Sequence, residues 1–127
     1  MSLLLVLDPI FQSHICPNLF HPECPGRVVA IERQLAKSVP VDSLNCVPVR
    51  EATLNELTRV HTPSYIERVT QSLTAEPFGY LDPQTYWDKS TLSVAQSAVG
   101  ATIDLAMAIA GPDHEATRGV AVVRPPG

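Results

Sequence analysis

The chain has 127 residues, of which 45% are hydrophobic and 17% charged, and its formal net charge at pH 7 is -4. These values predict one globular domain and exclude an intrinsically disordered chain. The acidic balance, without any Lys/Arg cluster, argues against direct binding of nucleic acid, which depends on neutralising phosphates.

The number of cysteines and the hydropathy of the chain indicate the cellular compartment. The chain has three cysteines, Cys16, Cys24 and Cys46, and its first apolar run is too short for a signal peptide. We therefore expect a reducing, cytoplasmic setting and no disulfide framework. The apolar stretch from Ser93 to Ala110 contains Asp104. It has borderline length for a membrane span, and we expect a buried helix and no membrane partner.

The first half of the chain predicts two strands separated by a helix. Leu3 to Leu7 is wholly apolar and predicts the first strand, whereas Phe11 to Cys24 has no periodicity and predicts a long ordered loop. Apolar residues at helical spacing predict a helix from Pro25 to Lys37. Val47 to Val49 predicts a second strand, which we place at a sheet edge because Pro48 cannot donate a ladder hydrogen bond.

The second half predicts three further helices and one long loop. Thr53 to Glu56 is a capping box that opens a short helix reaching about Arg59. Thr62-Pro63 is a helix start, with Thr62 as the N-cap. Thr74 to Lys89 is polar and aromatic and predicts a long surface loop. Ser90 then caps a long helix that reaches about Ala110.

The last strand leads directly into a stiff turn. Val120 to Val123 predicts a buried strand, and Arg124, Pro125, Pro126 and Gly127 follow it. Strands alternating with helices indicate parallel β-α-β units, hence an α/β fold. Because ligands of open α/β sheets bind beyond the carboxyl ends of the strands, we expect this turn to be a functional loop.

Histidines and cysteines cluster in the predicted loop as His14-x-Cys16-x4-His21-x2-Cys24. Imidazole and thiolate ligands on a loop can build a closed tetrahedral zinc site. The spacing is not that of a common zinc ribbon. The alternative, which we favour, is that packing and hydrogen bonds hold these residues.

Three other motifs carry polar residues, and two of these residues, Arg27 and Asp82, have two interpretations. Glu23 favours the positive end of the following helix dipole. Arg27 either faces solvent, which spacing alone favours, or points back to hold an anion or carbonyl. His61 precedes a helix N-cap and is interpreted as structural. In Tyr80 to Tyr86, Asp82 belongs either to an ordinary turn or to a binding rim, and the sequence leaves both open.

Taken together, these motifs resemble the amino-terminal part of the zinc-dependent deacetylase family. That family comprises histone deacetylases, class II above all, with acetylpolyamine amidohydrolases and acetoin-utilisation proteins. Four motifs occur in the family's order: Phe11-x-x-His14 leading to His21-Pro-Glu-x-Pro-x-Arg27, then Val60-His-Thr-x-x-Tyr65, then Leu81-Asp82-x-x-Thr85, and finally Val122-Val-Arg-Pro-Pro-Gly127.

The resemblance implies a three-layer α/β sandwich of the arginase/deacetylase type. Residues 1–127 would form an incomplete domain with about three parallel strands, in the order 2-1-3. The last strand, Val120 to Val123, would then expose an unpaired edge. We expect self-association or binding of a complementary chain along that edge.

The resemblance also implies roles for individual residues. Arg27 would lie at the foot of the acyl pocket, and Asp82 at the rim, where it would bind the substrate backbone. The turn from Arg124 to Gly127 would form the threshold of the active site. The family's His-His pair, zinc ligands and catalytic Tyr are not among these 127 residues. We therefore expect no catalytic residue, no cofactor and no activity in this chain by itself, with Zn²⁺ in the complete enzyme.

Two points remain alternatives. In some class II members a second, structural zinc binds near this loop, and His14, Cys16 and His21 match part of that set. The partner cysteine of those members is absent, because Pro77 to Gly79 stands there. The chain could also be a non-catalytic binding module, or one half of a split deacetylase completed by another chain.

Overall fold

A computed structural model of the chain describes residues 2–17, 20–112 and 116–126. Its helices and strands follow one another as β1 (Ser2–Val6), α1 (Gly26–Ser38), β2 (Leu44–Cys46), α2 (Leu54–Leu57), α3 (Pro63–Ala75), β3 (Phe78–Asp82), β4 (Thr85–Asp88), α4 (Thr91–Ala110) and β5 (Ala116–Ala121). Short 3-10 helices occupy Pro9–Gln12 and Val41–Ser43.

Strands β2, β1 and β5 form a parallel sheet in that order, with β1 in the centre. Leu5 pairs with Cys46 of β2 on one side and with Val120 of β5 on the other. The predicted order of strands, 2-1-3, is therefore confirmed, as is the α/β fold class. Among the described strands, β2 lies at the edge, as predicted for the second strand.

The core surrounds the central strand. Leu5 and Val6 are 1% and 0% exposed. Since neighbouring residues of a strand point to opposite faces, both faces of β1 are covered. One cluster of buried residues includes Val28 of α1 and Val94 and Leu105 of α4. Covering both faces makes the described architecture a layered α/β unit, as predicted.

Helix α4 is long and apolar enough to cross a membrane by length and composition alone. It packs on β5 and β1, and its buried side chains belong to the core. Small residues allow close contacts on this helix: a Cβ at Gly100 would lie 2.8 Å from the amide nitrogen of Ala52. Helix α4 therefore packs as a helix of the core, as the sequence predicts.

Both outer strands begin earlier than predicted. The second strand was expected at Val47 to Val49, but β2 ends at Cys46, and only the N–H of Val47 still bonds to Leu5. The chain leaves the sheet there because Pro48 has no N–H. The last strand was expected at Val120 to Val123, whereas β5 ends at Ala121. The most apolar residues did not identify where these two strands begin and end, because backbone pairing with β1 sets their limits.

The expectation of a surface loop from Thr74 to Lys89 was wrong. Strands β3 and β4 form an antiparallel hairpin, with Tyr80 opposite Tyr86, and Tyr86 and Trp87 are buried. Gly79 is required there, because a Cβ would lie 2.7 Å from the Trp87 ring. Aromatic and β-branched residues favour strands. Pro83 interrupts neither strand, because it lies in the turn between them.

The helix starts were predicted well. The capping box of Thr53 and Glu56 is present, and the side chain of Thr62 accepts from Tyr65 N. Helix α2 ends at Leu57, slightly before the expected end. Ser90 occupies the N-cap of α4 but makes no capping hydrogen bond with its side chain. Its hydroxyl donates to Asp88 instead, so the expectation that Ser90 caps the helix was wrong in this respect.

Candidate functional site

A buried arginine stands at the end of the last strand. Arg124 is 2% exposed. Its Nε donates to Glu23 Oε1 at 2.6 Å and its Nη2 to Glu23 Oε2 at 2.8 Å. Its Nη1 donates to the carbonyl oxygen of Phe11 at 2.8 Å. This bidentate geometry compensates the buried charge and fixes the direction in which the chain leaves β5.

Glu23 is the acceptor that joins the surrounding elements. It lies between Pro22 and Pro25, just before α1. Its carboxylate accepts from Arg124 and from the hydroxyl of Tyr86, the latter at 2.9 Å. Burial alone would raise the pKa of Glu23, but hydrogen bonds from Arg124 and Tyr86 more than offset it and lower the pKa. Glu23 is therefore ionised at neutral pH.

Tyr86 lies between two histidines. The His14 ring stacks on it at a centroid distance of 4.3 Å, and the His21 ring meets it edge-on at 4.8 Å. Arg124 Nη2 donates to its hydroxyl at 2.9 Å. Burial, together with the Glu23 carboxylate, raises the pKa of Tyr86. Tyr86 therefore stays a neutral phenol that donates to Glu23.

His14 is the fourth member of this group. It is 2% exposed, and its Nδ1 lies 2.8 Å from Thr91 Oγ1. Its Nε2 lies 3.8 Å from Glu23 Oε2. Burial and the Arg124 charge lower the pKa of His14 more than Asp88 and Glu23 raise it. His14 is therefore neutral at pH 7, and its contact with Glu23 is not an ion pair. We call His14, Glu23, Tyr86 and Arg124 the Glu23 cluster.

A small cavity borders the Glu23 cluster. Its volume is about 210 Å³, and its lining residues are His14, Glu23, Gln84, Thr85, Tyr86, Pro125 and Pro126. Glu23 is paired with Arg124 and His14 is neutral, so this wall carries little net charge. The arrangement can hold a small polar group by hydrogen bonds. Its ionised groups serve first to position one another.

Of the two residues predicted for substrate binding, one lies beside the cluster and the other at the hairpin turn. Arg27 has a 61% exposed side chain, and its Nη1 lies 4.0 Å from Glu23 Oε1. Asp82 is exposed at the hairpin turn, where it accepts from Gln84 N and Thr85 N at 2.8 and 2.9 Å. Thr85 Oγ1 donates to its other oxygen at 2.7 Å. These hydrogen bonds, that of the Thr85 side chain first, lower the pKa of Asp82.

Part of the predicted active-site threshold belongs to the cluster. Arg124 is its buried cation, and Pro125 and Pro126 line the cavity. Gly127 lies outside the described residues. The structure thus brings the threshold turn against Glu23 and Tyr86, with Arg27 beside them and Asp82 at the far end of the hairpin.

The weak metal candidates His14, Cys16 and His21 do not fit a metal ion. The Sγ of Cys16 lies 3.6 Å from the hydroxyl of Tyr80. His21 Nε2 lies 3.1 Å from the carbonyl oxygen of Gln84, and its Nδ1 accepts from Glu23 N at 3.1 Å. Within residues 2–17, 20–112 and 116–126, no three or more His, Cys, Asp or Glu side chains could hold a metal ion together.

Glu23 and Tyr86 were missed as site residues. Glu23 was interpreted through the helix dipole alone, and Tyr86 was one aromatic residue of a supposed loop. A buried Arg after a strand does require an acceptor. That signal was present, but sequence spacing cannot identify a partner 101 positions away.

Comparisons with known proteins identify one family. The family described as "Histone deacetylase domain" matches residues 21–127. "Polyamine deacetylase HDAC10" of Rattus norvegicus is 38% identical over 111 residues, 83% of this chain and 18% of that protein. "Histone deacetylase clr3" of Schizosaccharomyces pombe is 31% identical over 137 residues, 97% of this chain and 20% of that protein.

A solved structure shows the same fold over nearly the whole chain. The crystal structure of the HDA15 HD domain matches with a TM-score of 0.88 and 30% identity, covering 99% of this chain and 36% of that one. The chain spans about a fifth of the length of rat HDAC10 and of clr3, the two relatives named above.

Proposed function

Because this chain belongs to the histone deacetylase family, we propose that it supplies the amino-terminal portion of a zinc-dependent deacetylase domain. The complete domain would hydrolyse the amide of an acetylated lysine or polyamine, the substrates that the relatives' names suggest. By themselves, these 127 residues would bind and orient groups without hydrolysing the amide. We also propose a reducing, cytoplasmic setting, which the three unpaired cysteines support.

The observation that carries this proposal is the Glu23 cluster. It ties the motif around His21 to the motif around Arg124 through hydrogen bonds of 2.6 and 2.8 Å. Tyr86 adds the hairpin to the same unit. The turn after β5 is thus held rigidly at the carboxyl end of a parallel strand, where α/β folds place their ligands.

The described residues offer no site for the catalytic zinc, and no step is derived through it. In the complete domain, zinc would polarise the acetyl carbonyl and activate water. The proposed role of Arg124 is to fix the orientation of the turn that follows it. Arg27 is proposed to hold the acid product, since its guanidinium is exposed beside the cluster.

Asp82 is proposed to accept a hydrogen bond from the substrate backbone. Its two oxygens already hold the hairpin turn together. An ionised carboxylate has about four acceptor positions, so it can accept a further N–H from a bound substrate. Asp82 would therefore both shape the rim and contact the substrate.

A turnover assay tests the proposal that these residues do not hydrolyse the amide by themselves. The purified chain is incubated with zinc and either a fluorogenic acetyl-lysine peptide or an acetylpolyamine. We expect no hydrolysis above the blank. Turnover that follows the protein through purification and vanishes with a chelator would contradict the proposal.

A second candidate, completion by another chain, rests on an apolar groove beside β5. The groove has a volume of about 470 Å³, and its lining residues are Ala95, Ala98, Val99, Thr102, Ile103, Ala106, Val123, Pro125 and Pro126. Among the described strands, β5 pairs on one side only, and Val120 is 44% exposed. Such an edge favours self-association or a complementary chain that carries the rest of a deacetylase domain.

Light scattering tests this candidate. We expect the wild-type chain to self-associate at high concentration, and Val120→Lys to reduce that association. Arg118→Met changes an exposed residue of the same strand without adding a charge and serves as the control. A clean monomer at every concentration would remove self-association, and failure to bind any deacetylase-derived fragment would remove the complementary chain.

A further inference from the structure

The segment before α1 is fastened to the hairpin and to α4 at several points. In its described parts, 13–17 and 20–24, Ile15 N donates to Asp88 Oδ2 at 2.9 Å. The carbonyl oxygen of Ser13 lies 3.0 Å from Ser90 Oγ. His21 Nε2 reaches the carbonyl oxygen of Gln84 at 3.1 Å. Both ends of the segment are thus attached to one hairpin and the start of one helix.

Tyr86 occupies the middle of this attachment. Its ring lies between those of His14 and His21, with centroid distances of 4.3 and 4.8 Å. Its hydroxyl lies 2.9 Å from both the carbonyl oxygen and Oε2 of Glu23. One buried side chain therefore contacts the segment at three residues, and its phenol hydrogen bonds to an ionised partner.

The His21 ring of this segment uses the lone pair that a metal would need. The carbonyl oxygen of Gln84 can only accept, so His21 carries its proton on Nε2. Its Nδ1 lone pair then accepts from Glu23 N. The Nδ1 of His14 is engaged with Thr91. A metal ion on His21 would have to displace the hydrogen bond that its Nδ1 accepts or the one that its Nε2 donates.

We propose that Tyr86 fixes the segment before α1 to the hairpin without any metal ion, taking the place that a structural zinc would have. The packed rings and the Glu23 hydrogen bonds supply the attachment. This role is independent of whether the complete domain is a deacetylase.

The test combines metal analysis with two matched variants of the full chain. Tyr86→Phe removes the hydroxyl and keeps the ring, and Tyr65→Phe makes the same change at an exposed tyrosine of α3. We expect Tyr86→Phe to lower the Tm by roughly 5–10 °C, since a hydrogen bond to a charged group is lost. Tyr65→Phe should shift it by less than about 2 °C. Fluorescence of the single Trp87 follows the hairpin.

Chelation of the wild-type chain provides the second arm and needs no variant. After exposure to zinc and dialysis, we expect less than about 0.1 zinc per chain. A chelator should change neither the Tm nor hydrogen exchange in residues 13–17 and 20–24. Stoichiometric zinc, destabilisation by the chelator, or equal effects of the two Tyr→Phe variants would each overturn the proposal. If Tyr86→Phe does not fold, the chelator arm decides.

Discussion

Two arginines of this chain make the same kind of contact in different surroundings. The Arg124 and Glu23 side chains are 3% and 14% exposed. Arg50 pairs with Glu56 and Asp104, and its side chain is 39% exposed. Each guanidinium is bidentate, with N–O distances between 2.6 and 2.8 Å.

The comparison teaches that geometry alone does not rank these ion pairs. Water can solvate Arg50 when its partners are removed, and salt screens its charges. Water cannot solvate Arg124 in this way, because loss of Glu23 would leave the Arg124 charge buried and uncompensated. The exposed pair ties the α2 capping box to α4, whereas the buried pair joins motifs from both ends of the chain.

The largest effect should come from breaking the buried pair. We expect Arg124→Met to destabilise the fold by about 3–5 kcal/mol, because the Glu23 carboxylate would remain buried without its cation. Urea unfolding measures this loss. Arg118→Met, on the exposed side of β5, should cost less than about 0.5 kcal/mol. Equal costs for the two variants would contradict the assigned role of Arg124.

Acid should weaken the buried region through His14. Its pKa is lowered in the folded chain, so the unfolded chain binds the proton first as the pH falls below the ordinary value of 6.5. Stability should therefore be full above pH 6.5 and decline below it, by at most about 1.4 kcal/mol per pH unit. Glu23 and Asp88, whose pKa values are also lowered, lose their contributions only at lower pH.

Unfolding curves between pH 7.5 and 5 measure this decline. We expect His14→Gln to flatten it, while His61→Gln, at an exposed histidine, leaves it unchanged. A decline of equal slope in all three proteins would assign the effect to other groups.

The exposed pair should give a smaller and salt-dependent effect. Arg50 and the Thr53 N–H hold the pKa of Glu56 at about 2. Arg50→Met should lower the Tm less than Arg124→Met does, and the difference from wild type should shrink in high salt. Thermal scans at low and high NaCl measure both. An Arg50→Met effect that exceeds that of Arg124→Met, or resists salt, would reverse the comparison.

The smallest effect on global stability should come from the hairpin turn. Asp82→Ala removes acceptors for two backbone N–H groups, so amide exchange in β3 and β4 should accelerate. Asp82→Asn keeps one side-chain oxygen and should retain much of the protection. Unchanged exchange in Asp82→Ala would show that other contacts hold the turn.

Local signals allowed much of the fold to be predicted. The Thr53–Glu56 box and Thr62-Pro63 depend on neighbouring residues only, and both lie where the sequence placed them. The hairpin was missed because its stability comes from burying Tyr86 and Trp87 against other elements. Glu23 was missed as the partner of Arg124 for the same reason, since that contact exists only after folding.

The most direct measurement is a double-mutant cycle between Glu23 and Arg124, using Glu23→Gln, Arg124→Met and the double variant in urea unfolding. The parallel cycle uses Asp104→Asn and Arg50→Met. If the Glu23 cluster joins the motifs as one unit, the buried cycle should give a coupling of at least about 2 kcal/mol, larger than that of the exposed cycle. A Glu23–Arg124 coupling below about 0.5 kcal/mol would contradict this account.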